Sequence, residues 1–467
     1  VNQTSDVQVY RKVLNTGKSK ALIAMVFNSE NPLTLKQSLA LANMHNEQLA
    51  MAGENYLQAL INKNRAFAAF LPRISFAPVF MRQEKSALGA GNAGIAGFTP
   101  HRTTDVSVTG KLDLNPFRDL PVLKAAGYSE QMQRALLLDR RAVLMIDVAK
   151  TYFQVMHSEK QVQVLQYSIK VGQQSLRDIL VKQKAGVVRS VDVFRIEDRL
   201  AKTRNSLILA KKDVKKGRAM LAFLIGVPAV NGPLTNGINV PSTNWRIKAL
   251  LKPADTHRQD LIAAREQVKV AAAELKAAWG EYFPSVSLNL AYYLSRDTFP
   301  NDVDWTSLLR VNIPIFSAGL VHADVRTAYS RLRQARLAES YISRKVLKDL
   351  RVAVENLNRD REEINQVDIQ VKAAQEELHQ ADAGLKAGLG TELEQMTAKD
   401  GLLSAEFALS TVMFNENIDY LSLLRATGML NPDISVKLPS SEKTFHGTNA
   451  HEANLNLPRI RPENHKF

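Results

Sequence analysis

Two stretches of the chain place apolar residues at steps of four and three, the seam of a coiled coil, and both stop at a glycine. In the second, Leu350, Val354, Leu357, Arg361, Ile364, Val367, Val371, Ala374, Leu378, Ala381 and Leu385 mark the seam before Gly388. In the first, Val148, Tyr152, Val155, Glu159, Val162, Leu165, Ile169, Gly172, Leu176, Ile179 and Gln183 lead to Gly186. Every one of these positions recurs 202 residues later, so the chain reads as a tandem duplication.

The pattern around the seams supplies the other elements. Thr34-Leu35-Lys36-Gln37 is a capping box that predicts a helix from Thr34 to about Phe70. After Pro72 the period changes from 3.6 to 2, with Ile74, Phe76, Pro78 and Phe80 on one face; a second strand alternates Val106, Val108, Gly110, Leu112 and Leu114 against Ser107, Thr109, Lys111 and Asp113. Pro121 is expected in the first turn of a long helix running to about Gln183, and a return helix spans Ser190 to Ile225 before Gly226 and Pro228. The plan repeats from Arg258: a helix to Tyr282, a strand with Val286, Leu288, Leu290, Tyr292 and Leu294 on one face, and another from Trp305 to Ile313. A long helix from about Leu320 to Leu385 and a return helix from Glu392 to Thr427 complete it. The expected division is an N-terminal extension (1–31), a first repeat (32–230), an irregular equatorial linker (231–257), a second repeat (258–430) and an extended tail (431–467).

Length decides what these elements can build. A helix of over 60 residues reaches about 90 to 100 Å at about 1.5 Å per residue, beyond any compact core. The strands, with one apolar face, match a tilted membrane-barrel strand. Two hairpins on a soluble core are the ordinary alternative, but the seams already use the remaining apolar residues. Four strands cannot close a barrel, since about eight is the practical minimum, so closure needs several chains: eight strands from a dimer or twelve from a trimer. The fold class is therefore mainly α, an elongated tandem-repeat coiled coil, with four membrane β-barrel strands per chain that close only across several chains.

Composition narrows this little further. Among 467 residues there is no cysteine, which excludes a disulfide framework, thiol catalysis, thiolate metal sites and a lipidated cysteine at the start of this sequence. Val1 to Asp6 lack a secretion-signal pattern, as in a processed or a never-exported chain. The longest apolar run, Ala219 to Val230, is far short of the roughly 20 residues a membrane helix needs. The net charge of +15 is concentrated: residues 182–218 alone supply +8. No zinc-finger spacing, RNP-like motif or helix-turn-helix accompanies these cations, so no nucleic-acid partner is expected. They are expected on a solvated helix face or one facing an anionic surface.

The residues resemble the TolC-like outer membrane factor (outer membrane efflux protein) family. The resemblance rests on Leu33-Thr34-Leu35, on Phe70-Leu71-Pro72-Arg73-Ile74-Ser75 with its twin Tyr282-Phe283-Pro284-Ser285-Val286-Ser287, on Arg258-Gln259-Asp260-Leu261, and on Pro314-Ile315-Phe316-Ser317-Ala318-Gly319. It implies a homotrimer with a twelve-stranded barrel in the bacterial outer membrane and a helical tunnel extending into the periplasm. It also implies a passive exit duct for drugs, toxic compounds or secreted proteins, in a tripartite efflux or type I secretion system. The implied partners are a periplasmic adaptor (membrane fusion) protein, an inner-membrane transporter of RND, ABC or MFS type, and outer membrane lipid. The alternative is a periplasmic coiled-coil adaptor or scaffold.

Candidate chemistry is sparse. Gly89-Ala90-Gly91-Asn92-Ala93-Gly94 matches a dinucleotide fingerprint literally, but Gly97 and Thr99-Pro100 preclude the helix it needs, and it is expected to be a hairpin tip. His446 and His451 lack metal-ligand spacing, so no cofactor, metal or enzymatic activity is expected. Val106, Val108, Leu112, Val286, Leu288 and Leu290 are the expected lipid-facing residues. The resemblance places a gate at the periplasmic tips, at Gly186, Arg189, Asp192, Gly388, Thr391 and Glu394. Glu394 falls at the first constricting acid, Thr397 replaces the second, and Gly390 stands where the family has an arginine that holds Asp192's counterpart. Thr391-Glu392-Leu393-Glu394 is also a capping box, which gives Glu394 a purely structural role as well.

Overall fold

The computed structural model describes residues 32–82, 102–235, 240–241 and 245–430. The expected N-terminal extension, the glycine-rich tip at 89–94 and the C-terminal tail with its two histidines lie outside them. The first half runs β1 (Leu33–Thr34), α1 (Leu35–His45), α2 (Glu47–Ala68), β2 (Arg73–Arg82), β3 (Arg102–Leu114), α3 (Pro116–Lys184) and α4 (Ser190–Ile225). The second runs β4 (Leu234–Thr235), α5 (Ile247–His257), α6 (Gln259–Gly280), β5 (Ser285–Ser295), β6 (Trp305–Asn312), α7 (Leu320–Lys386) and α8 (Glu392–Ala426).

Three boundaries differ from the sequence expectation. The helix expected from Thr34 to Phe70 breaks at Asn46, whose backbone is extended. Its side chain accepts from Leu49 N at 3.1 Å and donates to the Leu224 carbonyl at 3.1 Å, replacing helical bonds with a cap and a long-range contact. The linker expected to be irregular contains β4 and α5; Leu250 and Ala254, one turn apart, are buried on one face of α5 despite Pro253. The first long helix begins five residues before Pro121, at Pro116. Asn115 caps it by accepting from Arg118 N, and Asp119 accepts from Asn115 N at 2.8 Å.

The long helices have 69 and 67 residues, so each spans about 100 Å. Short helices meet end to end beside them. A Cβ on Gly226, at the end of α4, would lie 2.6 Å from the His45 carbonyl oxygen, and one on Gly428, just beyond α8, would lie 2.5 Å from the His257 carbonyl carbon. Both glycines also have positive φ, so no other residue suits either junction. Toward the sheet the helices pack side by side in the order α2, α3, α6, α7, and toward the tips in the order α4, α3, α8, α7. The wall is one helix thick. All the seam positions named from sequence are buried or half-buried.

The core gathers where the short helices meet. Leu35, Leu39, Tyr152, Phe153, Leu221, Ile225, Leu350, Leu357 and Leu423 are buried in one cluster. The Tyr152 hydroxyl joins the parallel pair β1–β4, lying 2.6 Å from the Leu33 carbonyl and accepting from Thr235 N at 2.9 Å. Burial pushes its ionisation up to about 12.

The antiparallel sheet has the order β2-β3-β5-β6. Its register aligns Phe76 with Val108, Val108 with Tyr292, and Tyr292 with Trp305; lower down Leu112 stands opposite Leu288, and Leu288 opposite Leu309. One continuous apolar face results.

Candidate functional site: the sheet and the tunnel tips

Paired residues in a sheet project to the same face, so the register places Val106, Val108, Leu112, Val286, Leu288 and Leu290 together. Val108, Val286, Leu288 and Leu290 are exposed, as are Ile74, Phe76 and Phe80 across the sheet. The opposite face pairs Ser75 with Thr109, their hydroxyls 2.8 Å apart, Lys111 with Asn289, and Ser287 with Arg310. Aromatic residues mark both ends of the strands. Tyr292 and Trp305 stand at one end, while Phe117 stacks on Phe283 at 4.4 Å and Trp279 neighbours Tyr282 at the other. An apolar band between aromatic girdles is the dress of a membrane barrel.

At the far end of the helices the two tips turn on Gly186 and Gly388, both with φ of 73°. Leu389, between Gly388 and Gly390, is 90% exposed. Thr391 and Glu394 form the expected reciprocal cap: Glu394 N donates to Thr391 Oγ1 at 3.2 Å, and Thr391 N donates to Glu394 Oε2 at 2.8 Å. Gly390 gives Asp192 no partner; instead Arg195 Nη1 reaches Asp192 at 3.3 Å and Arg189 Nε at 3.8 Å. Arg189 itself occupies the cap position of α4 but makes no side-chain cap. The two tip acids are thus each held within their own helix.

Two constellations were not found from sequence. Arg199 of α4 pairs with Asp400 of α8, which also accepts from Ser168 of α3 at 2.9 Å, so one carboxylate ties three helices together. The 202-residue repeat offset holds the only sequence signal, since it carries Arg199 to the neighbour of Asp400. Higher up, Asp360 of α7 is fully buried, with Arg359 Nη2 at 2.6 Å from Oδ1, while Asp419 of α8 lies 3.5 Å from the same guanidinium and takes a 3.4 Å bond from Asn356.

Burial, then the charge and hydrogen bond of Asp360, push the Asp419 carboxyl up to about 6. A carboxyl raised in the fold holds its proton where the unfolded chain has lost it, so stability falls as pH rises toward and through about 6. Thermal unfolding of the purified protein should therefore occur at lower temperature at pH 7 than at pH 5, and Asp419→Asn should flatten that difference. An unchanged pH profile in Asp419→Asn would show that the pair carries no proton linkage.

Known proteins share both this sequence pattern and this fold. The profile of a family described as outer membrane efflux protein matches residues 37–227 and 250–429. The toluene efflux pump outer membrane protein TtgF of Pseudomonas putida is 26% identical over 379 residues, covering 77% of this chain and 70% of that protein. Outer membrane protein TolC of Escherichia coli is 22% identical over 345 residues, 68% of this chain and 67% of that protein. Among solved structures, the Campylobacter jejuni CmeC outer membrane channel superposes with a TM-score of 0.75 at 15% identity, covering 88% of this chain and 92% of that one.

Proposed function

We propose a function from one premise: the chain belongs to the outer membrane efflux protein family. It is an outer membrane channel whose helical tunnel extends into the periplasm, and it serves efflux rather than acting as a soluble adaptor. The finer reading is a homotrimer that closes a twelve-stranded barrel and acts as the passive exit duct of a tripartite pump, with a periplasmic adaptor and an inner-membrane transporter as partners. The observation that carries it is the pair of matching free edges. β2 and β6 end the sheet, and α2 or α4 and α7 end the helical wall on the corresponding sides. Unpaired edges with an apolar sheet face are satisfied when copies meet edge to edge around a closed ring.

The gate of this duct lies at the tips, where Glu394 from each copy forms a single ring of carboxylates that attracts cations. Its capping bonds hold each carboxylate in a defined place. The experiment is native mass measurement in detergent followed by single-channel recording. Three copies and discrete conductance are expected; a monomer without conductance would overturn the duct reading. Divalent cations on the periplasmic side should block the channel, and Glu394→Gln, which retains most of the cap, should weaken that block. Unchanged block and conductance in this variant would leave Glu394 as a cap only.

A further inference from the structure

The apolar face of the first hairpin ends in two arginines set directly opposite each other. On β2, Ile74, Phe76, Pro78, Phe80 and Arg82 share one face, and the register pairs Arg82 with Arg102 of β3 as it pairs Phe76 with Val108. Both arginines are exposed, beside exposed Phe76 and Phe80. Cross-strand partners hold their Cβ atoms about 5 Å apart, and like charges directly opposite destabilise a sheet. Neither guanidinium has an ion-pair partner among the described residues. Two acids at this end of the sheet are engaged elsewhere. Asp105 projects from the other face of β3 and accepts from Asp297 N, Thr298 N and Thr298 Oγ1, while Asp297 accepts from Thr104 N at 2.8 Å.

The internal repeat sets the height of this pair in the membrane. Phe70-Leu71-Pro72-Arg73-Ile74-Ser75 and Tyr282-Phe283-Pro284-Ser285-Val286-Ser287 are twins, and counting on from them makes Phe80 the counterpart of Tyr292 and Arg82 that of Leu294. Tyr292 and Trp305 mark the aromatic end of the strands remote from the helices, so Phe80 stands at that level and Arg82 one side chain farther out. With the tunnel in the periplasm, this end lies in the outer leaflet. Outward side chains just beyond an aromatic girdle meet lipid headgroups instead of hydrocarbon. The second repeat carries Leu294 at the matching place, so paired cations are not a general property of these strand ends.

We propose that Arg82 and Arg102 form a lipid-facing site for a phosphate of the glycolipid headgroups in the outer leaflet, with acyl chains of the same lipid lying along Phe80, Phe76 and Val108. Each guanidinium presents a planar fork that matches phosphate through paired charge-assisted bonds, and one phosphate between two forks removes the repulsion that the register creates. The inference rests on the sheet being a membrane barrel and adds which lipid that barrel selects.

The test reconstitutes the whole chain in phosphatidylcholine vesicles containing a small fraction of lipid A, the phosphorylated glycolipid anchor of bacterial outer leaflets. Lipid that stays bound after detergent extraction is counted by native mass measurement. The parent is expected to retain about tenfold more lipid A than the double variant Arg82→Gln with Arg102→Gln, and about tenfold more than it retains of lipid A stripped of its phosphates. Arg73→Gln, at the other end of β2 and on its other face, should retain lipid A like the parent. Inorganic phosphate should not displace the lipid, because the acyl chains hold to the apolar face as well. Equal retention by parent and double variant, or of lipid A with and without its phosphates, would overturn the site. Displacement by inorganic phosphate alone would overturn the lipid as its occupant. A protein that inserts and conducts without preferring lipid A refutes this site and leaves the channel reading standing, whereas failure to insert in vesicles would refute the barrel itself.

Discussion

An arginine at Leu290 is expected to cost about 2 to 4 kcal/mol of stability in the membrane, and an arginine at the adjacent Asn289 little. Leu290 is 47% exposed at mid-strand, opposite Gly110 on β3 and Ser307 on β6, and shares its face with Leu288 and Tyr292. Gly110 offers no side chain behind which a guanidinium could shelter, so the charge would meet hydrocarbon directly. Asn289 points to the other face, beside Lys111, where water can solvate a new cation. Urea-dependent unfolding from lipid vesicles measures both variants. Equal losses at the two positions would contradict an apolar face turned to lipid.

A comparably large loss, about 3 to 5 kcal/mol, is expected for Arg258→Ala. Arg258 is buried at the junction of α5 and α6, where Nε and Nη2 donate to Asp260 at 2.8 and 3.0 Å and Nη2 also donates to Asp349 of α7 at 2.6 Å. Truncation strands two largely buried carboxylates next to the contact between Gly428 and His257, where α8 meets the α5–α6 break. Burial raises the Asp349 carboxyl, but bonds from Arg258 and Lys348 outweigh it and hold it below its usual value. A lowered carboxyl stabilises the fold above its unfolded value near 3.8, and this contribution disappears as pH falls through the lower folded value. Thermal unfolding of Arg258→Ala should therefore show both a lower midpoint at pH 7 and a reduced loss on acidification. A midpoint within experimental error of the parent would remove the triad from the set of contacts that hold the α5–α6 junction against α7.

The two constellations respond to different solvents. Leu290 is tested against lipid, Arg258 against the dry interior where the short helices meet, and neither is near the tips. Weakened divalent block in Glu394→Gln without loss of unfolding stability would accordingly localise gating to the tips.

What the chain carries in its own local order is extensive. The heptad steps before Gly186 and Gly388, the alternation from Ile74 to Phe80 and from Val286 to Leu294, and the cap at Thr391 were all legible, because each depends on neighbours within one or two turns. The break at Asn46 was not: its side chain reaches Leu224, 178 residues away, and only that contact makes leaving the helix favourable. Helix α5 was missed for the complementary reason, since Pro253 signals a breaker locally while burial of Leu250 and Ala254 against packed helices outweighs it. At the tips the acids could be located in the sequence, but their partners could not. Asp192 lies within reach of several arginines along the chain, and side-chain geometry selects Arg189 and Arg195. The pairings of Arg199 with Asp400 and of Arg359 with Asp419 were decided only by tertiary packing, which brings together charges that lie far apart in the sequence.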